Sequence, residues 1–169
     1  MIVDRTTYVD QLIRSKGNGL IKIITGLRRS GKSFLLKTLF RKHLLDEGVQ
    51  DDHIIIIDME SRKNKSFKDP DYLLDWVEDK MVDDSVYYII IDEVQEVKDF
   101  VEVLSTLSVT EGADVYVTGS NSRFLSSDVV TEFRGRGDEI HVWPLSFKEF
   151  MSVYDGSKEE AWAEYCMFG

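Results

Sequence analysis

Leu20-Ile21-Lys22-Ile23-Ile24-Thr25-Gly26-Leu27-Arg28-Arg29-Ser30-Gly31-Lys32-Ser33 is the stretch on which the fold turns. Its first six residues form a β-rich run. Gly26 to Ser33 then fits G-x-x-x-x-G-K-[ST] without a gap. From Lys32 to Leu45, the residues Leu35, Leu36, Leu39, Phe40 and Leu44 recur at three- and four-residue spacings, the pattern of an amphipathic helix, and Gly48 is a plausible stop. A strand, a glycine-lysine turn and a helix in that order make a phosphate cradle. The glycines let the backbone turn tightly with its N–H groups toward phosphate oxygens, and the helix adds the positive end of its dipole. Lys32 is placed to neutralise charge between β- and γ-phosphates, and the Ser33 hydroxyl to bind Mg²⁺. The candidate nucleotide-binding residues are Gly26, Arg28, Arg29, Ser30, Gly31, Lys32, Ser33 and Phe34. Arg28 and Arg29 either assist a phosphate or are solvated loop residues.

Further apolar runs lie downstream. Ile54–Ile57 ends at Asp58, Val86–Ile91 at Asp92, and Val115–Val117 at Thr118-Gly119, while Ile140–Trp143 reads as the last strand. Strands apolar on both faces belong to a parallel sheet covered by helices. Helical stretches are expected at Tyr8–Ile13, Asp71–Lys80, Lys98–Leu107, about Ser122–Phe133, and Phe147–Val153. The alternation predicts an α/β domain with a doubly wound, mainly parallel sheet. At 169 residues the chain is about one domain.

The Val86–Ile91 run delivers two carboxylates at its carboxyl end, the edge where ligands of open parallel sheets sit. Asp92 would hold Mg²⁺, directly or through its water, and Glu93 would accept a proton from an attacking water as general base. Asp58 is the runner-up for the metal role. After the Val115–Val117 run, Asn121 or Ser120 would orient the attacking water against the γ-phosphate, or would cap the next helix.

Composition narrows the classes. Lys and Arg number 21 against 31 Asp and Glu, a net charge of −10, which argues against a surface coated in phosphate backbone. Within it, Ser61–Lys68 carries +4. That segment could touch nucleic acid, with Phe67 stacking on a base, or be a solvated, mobile loop. Cys166 is the only cysteine, so an intrachain disulfide and a cysteine-based zinc cluster are excluded. No apolar run is long enough to span a bilayer, and the first residues carry no apolar stretch of signal-peptide length, so a cytoplasmic protein without a membrane partner is the default expectation. His43, His53 and His141 have no metal-ligand spacing, and Trp76, Trp143 and Trp162 are expected in the core. The guanine signature N-K-x-D is absent, because Asn64-Lys65 is followed by Ser66-Phe67. These residues leave the base unassigned.

The ordered set Ile23–Ser33, Asp92-Glu93-Val94-Gln95, Thr118-Gly119-Ser120-Asn121-Ser122, Phe133-Arg134-Gly135-Arg136 and Pro144-Leu145-Ser146-Phe147-Lys148-Glu149-Phe150 resembles prokaryotic AAA-like P-loop ATPases. The resemblance implies the additional-strand, catalytic-glutamate type of P-loop fold. Its sheet order would be last strand, phosphate-loop strand, sensor strand, acidic strand, and Ile54–Ile57 at the edge. It implies ATP as the nucleotide, Mg²⁺, and hydrolysis coupled to a conformational or nucleic-acid-related task. It also implies an arginine finger, Arg134 or Arg136, reaching the γ-phosphate of a neighbouring copy or, after closure, of its own chain. The alternative for these arginines is a turn paired with Asp138 or Glu139. Relatives of this kind run on into a winged-helix-like segment and a nuclease-like C-terminal domain, so the chain reads as a single ATPase domain, an N-terminal fragment of a longer protein. Its partners would be nucleotide, a second copy or that further domain. A nucleotide-binding switch with little turnover is the other functional reading, and Glu93 speaks for hydrolysis, since a pure binder has no use for a base beside its metal ligand.

Overall fold

The structure, a computed structural model, describes residues 2–119, 133 and 135–168. A helix α1 (Thr6–Ser15) precedes strand β1 (Ile21–Thr25). Helix α2 is continuous through an α-helical turn (Lys32–Phe34), a π-helical stretch (Leu35–Phe40) and a second α-helical stretch (Arg41–Asp46). Then come β2 (Ile54–Asp58), α3 (Pro70–Lys80), β3 (Tyr87–Asp92), α4 (Phe100–Ser108), β4 (Ala113–Thr118), β5 (Gly137–His141), α5 (Phe147–Met151) and α6 (Lys158–Phe168).

The five strands are all parallel in the order β2-β3-β4-β1-β5. This is the order implied by the resemblance. Period-two alternation sends successive side chains to opposite faces, and each face has its own core. Ile21, Ile23, Ile55, Ile57, Ile89 and Ile91 pack with Leu73 and Val77 of α3 and Leu104 of α4. Ile24, Ile54, Ile90 and Tyr116 pack on the other face with Leu12 of α1 and with Leu36, Phe40 and Leu44 of α2. Helices on both faces leave the carboxyl ends of β1, β3 and β4 as the edge where loops gather.

Several expectations need correction. The last strand is Gly137–His141 rather than Ile140–Trp143. It is an edge strand with only Ile140 fully buried, so Asp138 and Glu139 pair with β1 without needing apolar side chains. Segment Arg62–Lys68 is two short 3₁₀ turns joined through a non-helical Asn64, with Arg62, Lys63, Lys65 and Lys68 exposed as a solvated segment requires. Phe67 is packed against Tyr72 and Trp76 at ring separations of 5.3 and 4.9 Å, so it is not available to stack on a base. Trp143 and Trp162 are 63% and 52% exposed, not core residues. Apolar periodicity does not predict helix α6, which has no apolar stripe and, among its described side chains, only Ala161 buried. Its start does carry a legible signal, reciprocal hydrogen bonds between Ser157 and Glu160. The expected helix at 122–133 lies outside the described residues except for Phe133. Among the described residues, no helix is long and apolar enough to cross a membrane.

Candidate active site

The loop between β1 and α2 is shaped by two glycines that nothing else could replace without strain. Gly26 has φ +135°, and a Cβ there would sit 2.2 Å from the Val142 carbonyl oxygen. Gly31 has φ +92° and opens the helix, with its carbonyl accepting from the Leu35 N–H at 2.8 Å. Lys32 is 4% exposed, and its ammonium donates to the carbonyls of Gly26 (3.1 Å) and Leu27 (2.8 Å). Burial pushes the Lys32 ammonium below its ordinary range, and the nearby Glu93 and Asp92 only partly offset this. The Ser30 hydroxyl is buried and has no hydrogen-bond partner among the described residues. Arg28 and Arg29 are exposed in the turn, Arg29 with φ 66°, and Phe34 is 40% exposed on the first turn of α2.

The acidic strand end is built around Thr118 at the end of the neighbouring strand β4. Thr118 Oγ1 donates to Asp92 Oδ1 at 2.6 Å and accepts from the Glu93 N–H at 2.9 Å. Ser33 Oγ donates to the same Asp92 oxygen at 2.8 Å, so the phosphate-loop helix and the acidic strand are joined directly. Asp92 is 1% exposed. Glu93 takes the left-handed conformation (φ 57°) directly after the end of β3. An αL backbone is uncommon for a residue with a Cβ, and such strain is often found at functional sites. The Gln95 side-chain amide donates to Glu93 Oε2.

Lys37, one turn beyond Ser33 on α2, completes the cluster. Its ammonium lies 2.7 Å from Asp92 Oδ2 and 2.9 Å from Asp58 Oδ2. Asp58 and Asp92 are register partners across β2 and β3. Burial pushes the Lys37 ammonium down, but Asp92 and Asp58 outweigh it, so its affinity for the proton ends above the ordinary value. Asp58 is pushed up by burial and pulled further down by Lys37 and by the Glu60 and Ser61 N–H groups. The runner-up metal carboxylate is thus engaged by a lysine.

Arg5, which carried no signal in the sequence, braces the loop. It is 5% exposed, and its guanidinium donates to the Ser30 carbonyl (2.8 Å), the Trp143 carbonyl (2.7 Å) and Glu149 Oε1 (3.1 Å). Glu149 also closes the capping box of α5 with Ser146. Burial pushes the Glu149 carboxyl up, and Ser146 and Arg5 together hold it below the ordinary carboxylate range. Beside this brace opens a cleft of about 840 Å³, with Arg5, Tyr8, Gln11, His141 and Trp143 among its walls. That volume is in the range of small-molecule sites.

The structure therefore brings together Gly26, Ser30, Gly31, Lys32, Ser33, Asp92 and Glu93. It does not bring Arg136 to them. The Arg136 carbonyl accepts from the Ile21 N–H at the start of β1, so the exposed arginine lies at the amino edge of the sheet. The five residues of β1, at about 3.3 Å each, put it about 16 Å from the phosphate loop. Nor does Arg136 pair with Asp138 or Glu139, which are bonded to Ser15, Asn18 and Thr25. Ser120, Asn121 and Arg134 lie outside the described residues. The donor chemistry fits Mg²⁺, a hard cation that takes one or two carboxylates and completes its shell with phosphate and water. Here a hydroxyl and a carboxylate oxygen converge, and among the described residues no larger cluster of acidic, His or Cys ligands forms. The Ser30 hydroxyl, buried and without a partner among the described residues, fits a phosphate in the loop.

A profile of the AAA domain family matches residues 18–151. An uncharacterized protein of Haemophilus influenzae is 36% identical over 151 residues, which are 89% of this chain and 38% of that protein. An uncharacterized protein of Methanocaldococcus jannaschii is 29% identical over 135 residues, 78% of this chain and 28% of its own length. The chain thus spans well under half of either relative. Among solved structures, Caenorhabditis elegans PCH-2 is similar with a TM-score of 0.57 at 13% identity, covering 99% of this chain and 45% of that one. AMPPCP-bound DnaA from Aquifex aeolicus gives 0.55 at 17% identity, covering 95% and 55%. These two likenesses concern the fold.

Proposed function

Because the chain belongs to the AAA domain family, matched over most of its length, we propose that it binds ATP with Mg²⁺ at the carboxyl edge of its sheet and hydrolyses it. The observation that carries this reading is the Thr118 hydroxyl, which ties the Asp92 carboxylate to the Glu93 backbone while Ser33 ties Asp92 to the phosphate loop. Four functional groups from three elements are thereby held at one edge. Loop N–H groups and the Ser30 hydroxyl would bind phosphate oxygens, Lys32 would exchange its loop carbonyls for them, and Ser33 and Asp92 would hold the metal. When bound, Mg²⁺ supplies charge neutralisation on the phosphates. Glu93, turned out of the strand by its αL backbone and steadied by Gln95, would take the proton of the attacking water. The neighbouring cleft would receive the rest of the nucleotide. DnaA carries the ATP analogue AMPPCP on a similar fold, which supports the choice of nucleotide.

Any contribution of Arg136 to hydrolysis needs a second copy, given its place at the far edge of the sheet. Asn121 remains the proposed orienting residue beyond β4. Phosphate release by Glu93→Gln tests the assignment. A general base contributes about 10²–10⁴-fold, so turnover is expected to fall by that factor while a fluorescent ATP analogue still binds. Unchanged turnover would favour a binding switch over an ATPase.

A further inference from the structure

Asp92 is engaged on both oxygens, Oδ1 by hydrogen bonds from Ser33 and Thr118 and Oδ2 by the Lys37 ammonium, an ion pair at 2.7 Å that lacks hydrogen-bond alignment. Lys37 is itself divided between two carboxylates, 2.7 Å from Asp92 and 2.9 Å from Asp58. The three side chains come from α2, β2 and β3, with Lys37 one helical turn beyond Ser33, so the triad belongs to the same rigid frame as the phosphate loop. We propose that Lys37 is a positioning residue that orients Asp92 and sets how strongly the site attracts Mg²⁺, and that Asp58 sets how much of the Lys37 charge Asp92 feels. The inference rests on the Mg²⁺-nucleotide reading above.

The physical argument is one of charge. A lone buried aspartate would attract a divalent cation strongly but would be free to turn. An ammonium against Oδ2 fixes the carboxylate plane, leaving Oδ1 toward Ser33, and cancels part of the charge that draws the metal. Asp58 takes up part of that cancellation. Its own position is secured by the Glu60 N–H on Oδ1 (3.0 Å) and by the Asn64 amide on its carbonyl (2.8 Å). Removing the lysine and removing its second carboxylate therefore act on the metal in opposite directions. A lysine that merely supported the fold would produce no such opposition.

The test is a Mg²⁺ titration of fluorescent ATP analogue binding, with phosphate release read in parallel and thermal melts to verify folding. Lys37→Met is expected to lower the half-saturating Mg²⁺ by about three- to tenfold, as loss of a unit charge at a part-exposed site implies. Its turnover falls about tenfold, because Asp92 is no longer held at Oδ2. Asp58→Asn, which leaves Lys37 wholly to Asp92, raises the Mg²⁺ requirement by about two- to fivefold. Lys37→Arg keeps the charge and stays within about twofold of wild type in that requirement. If both Lys37→Met and Asp58→Asn shift the Mg²⁺ requirement in the same direction, or neither shifts it, the positioning role is overturned while the ATPase reading stands. If wild type binds no Mg²⁺-nucleotide, both are overturned together.

Discussion

Two buried charged clusters sit at opposite edges of the same sheet. At the amino edge, Lys22 of β1 is fully buried and ion-paired with Asp114 of β4. Its ammonium also donates to the Leu20 carbonyl (2.9 Å), while Asp114 accepts from the Tyr116 hydroxyl (2.8 Å) and the Gly17 N–H (3.0 Å). Burial drives the Tyr116 phenol far above its ordinary range, and Asp114 adds to this. Every charge there is matched and sealed under α1 and α2. At the carboxyl edge Lys32 and Asp92 are as deeply placed, Lys37 and Asp58 are part-exposed, and the charges are differently supported. Among the described residues Lys32 donates to loop carbonyls, the Ser30 hydroxyl has no partner, and Lys37 is shared between two acids. Burial of charge therefore does not separate a binding site from a structural one. What separates them is whether the partners can be exchanged for a ligand's atoms.

The largest effect that would break the comparison concerns the sealed end. Asp114→Ala leaves Lys22 buried without its carboxylate, and removing one partner of a buried pair costs about 3–5 kcal/mol. Urea denaturation should report that loss, with Lys22→Met plus Asp114→Asn recovering most of it. Asp92→Asn should stay within about 1 kcal/mol of wild type, because Lys37 keeps Asp58 and some solvent. Equal losses at both edges would erase the distinction. A smaller effect sharpens it at the Arg5 brace. The Glu149 carboxyl is held below its ordinary value, so it adds stability above about pH 4.3, and the gain vanishes as the pH falls through its lower folded value. Glu149→Gln should therefore be less stable than wild type at pH 7, by no more than about 1 kcal/mol, with the gap closing below about pH 4. Urea melts at pH 7, 5 and 3.5 check this. A gap that widens in acid would contradict the assigned sign.

The legible parts of the molecule were those with local signals. The glycines and lysine of Gly26–Ser33 encode a turn that only certain residues can make, and the isoleucine runs encode strands buried on both faces. Asp92 and Glu93 were readable because they end such a run. Thr118, Arg5, Lys37 and Gln95 were not, for reasons that differ. Thr118 ends a strand as many threonines do, and its bonds to Asp92 and Glu93 depend on the register of β4 against β3, which no local pattern displays. Arg5 bonds to two backbone carbonyls, which no sequence pattern displays. Lys37 stands four residues after Ser33, one turn along the same helix face, yet apolar periodicity ignores polar positions. Asp58 reads as the runner-up for the metal role, and the lysine it shares with Asp92 shows no trace in the sequence pattern. Trp143 and Trp162 misled because their sequence patterns suggest core packing, whereas each is largely exposed and makes a T-shaped contact with an aromatic neighbour, His141 and Phe147.

Whether the carboxyl edge holds a Mg²⁺-nucleotide, as proposed above, turns on Lys32. Its ammonium is buried among carbonyls that a phosphate would replace, so binding to the folded state must raise stability. Mg²⁺-ATP at a hundredfold excess over Kd should stabilise the wild-type chain by about 2.7 kcal/mol. Lys32→Ala should fold and show no such shift in a thermal melt. An equal nucleotide-dependent shift in wild type and Lys32→Ala, or none in wild type at millimolar Mg²⁺-ATP, would contradict the account.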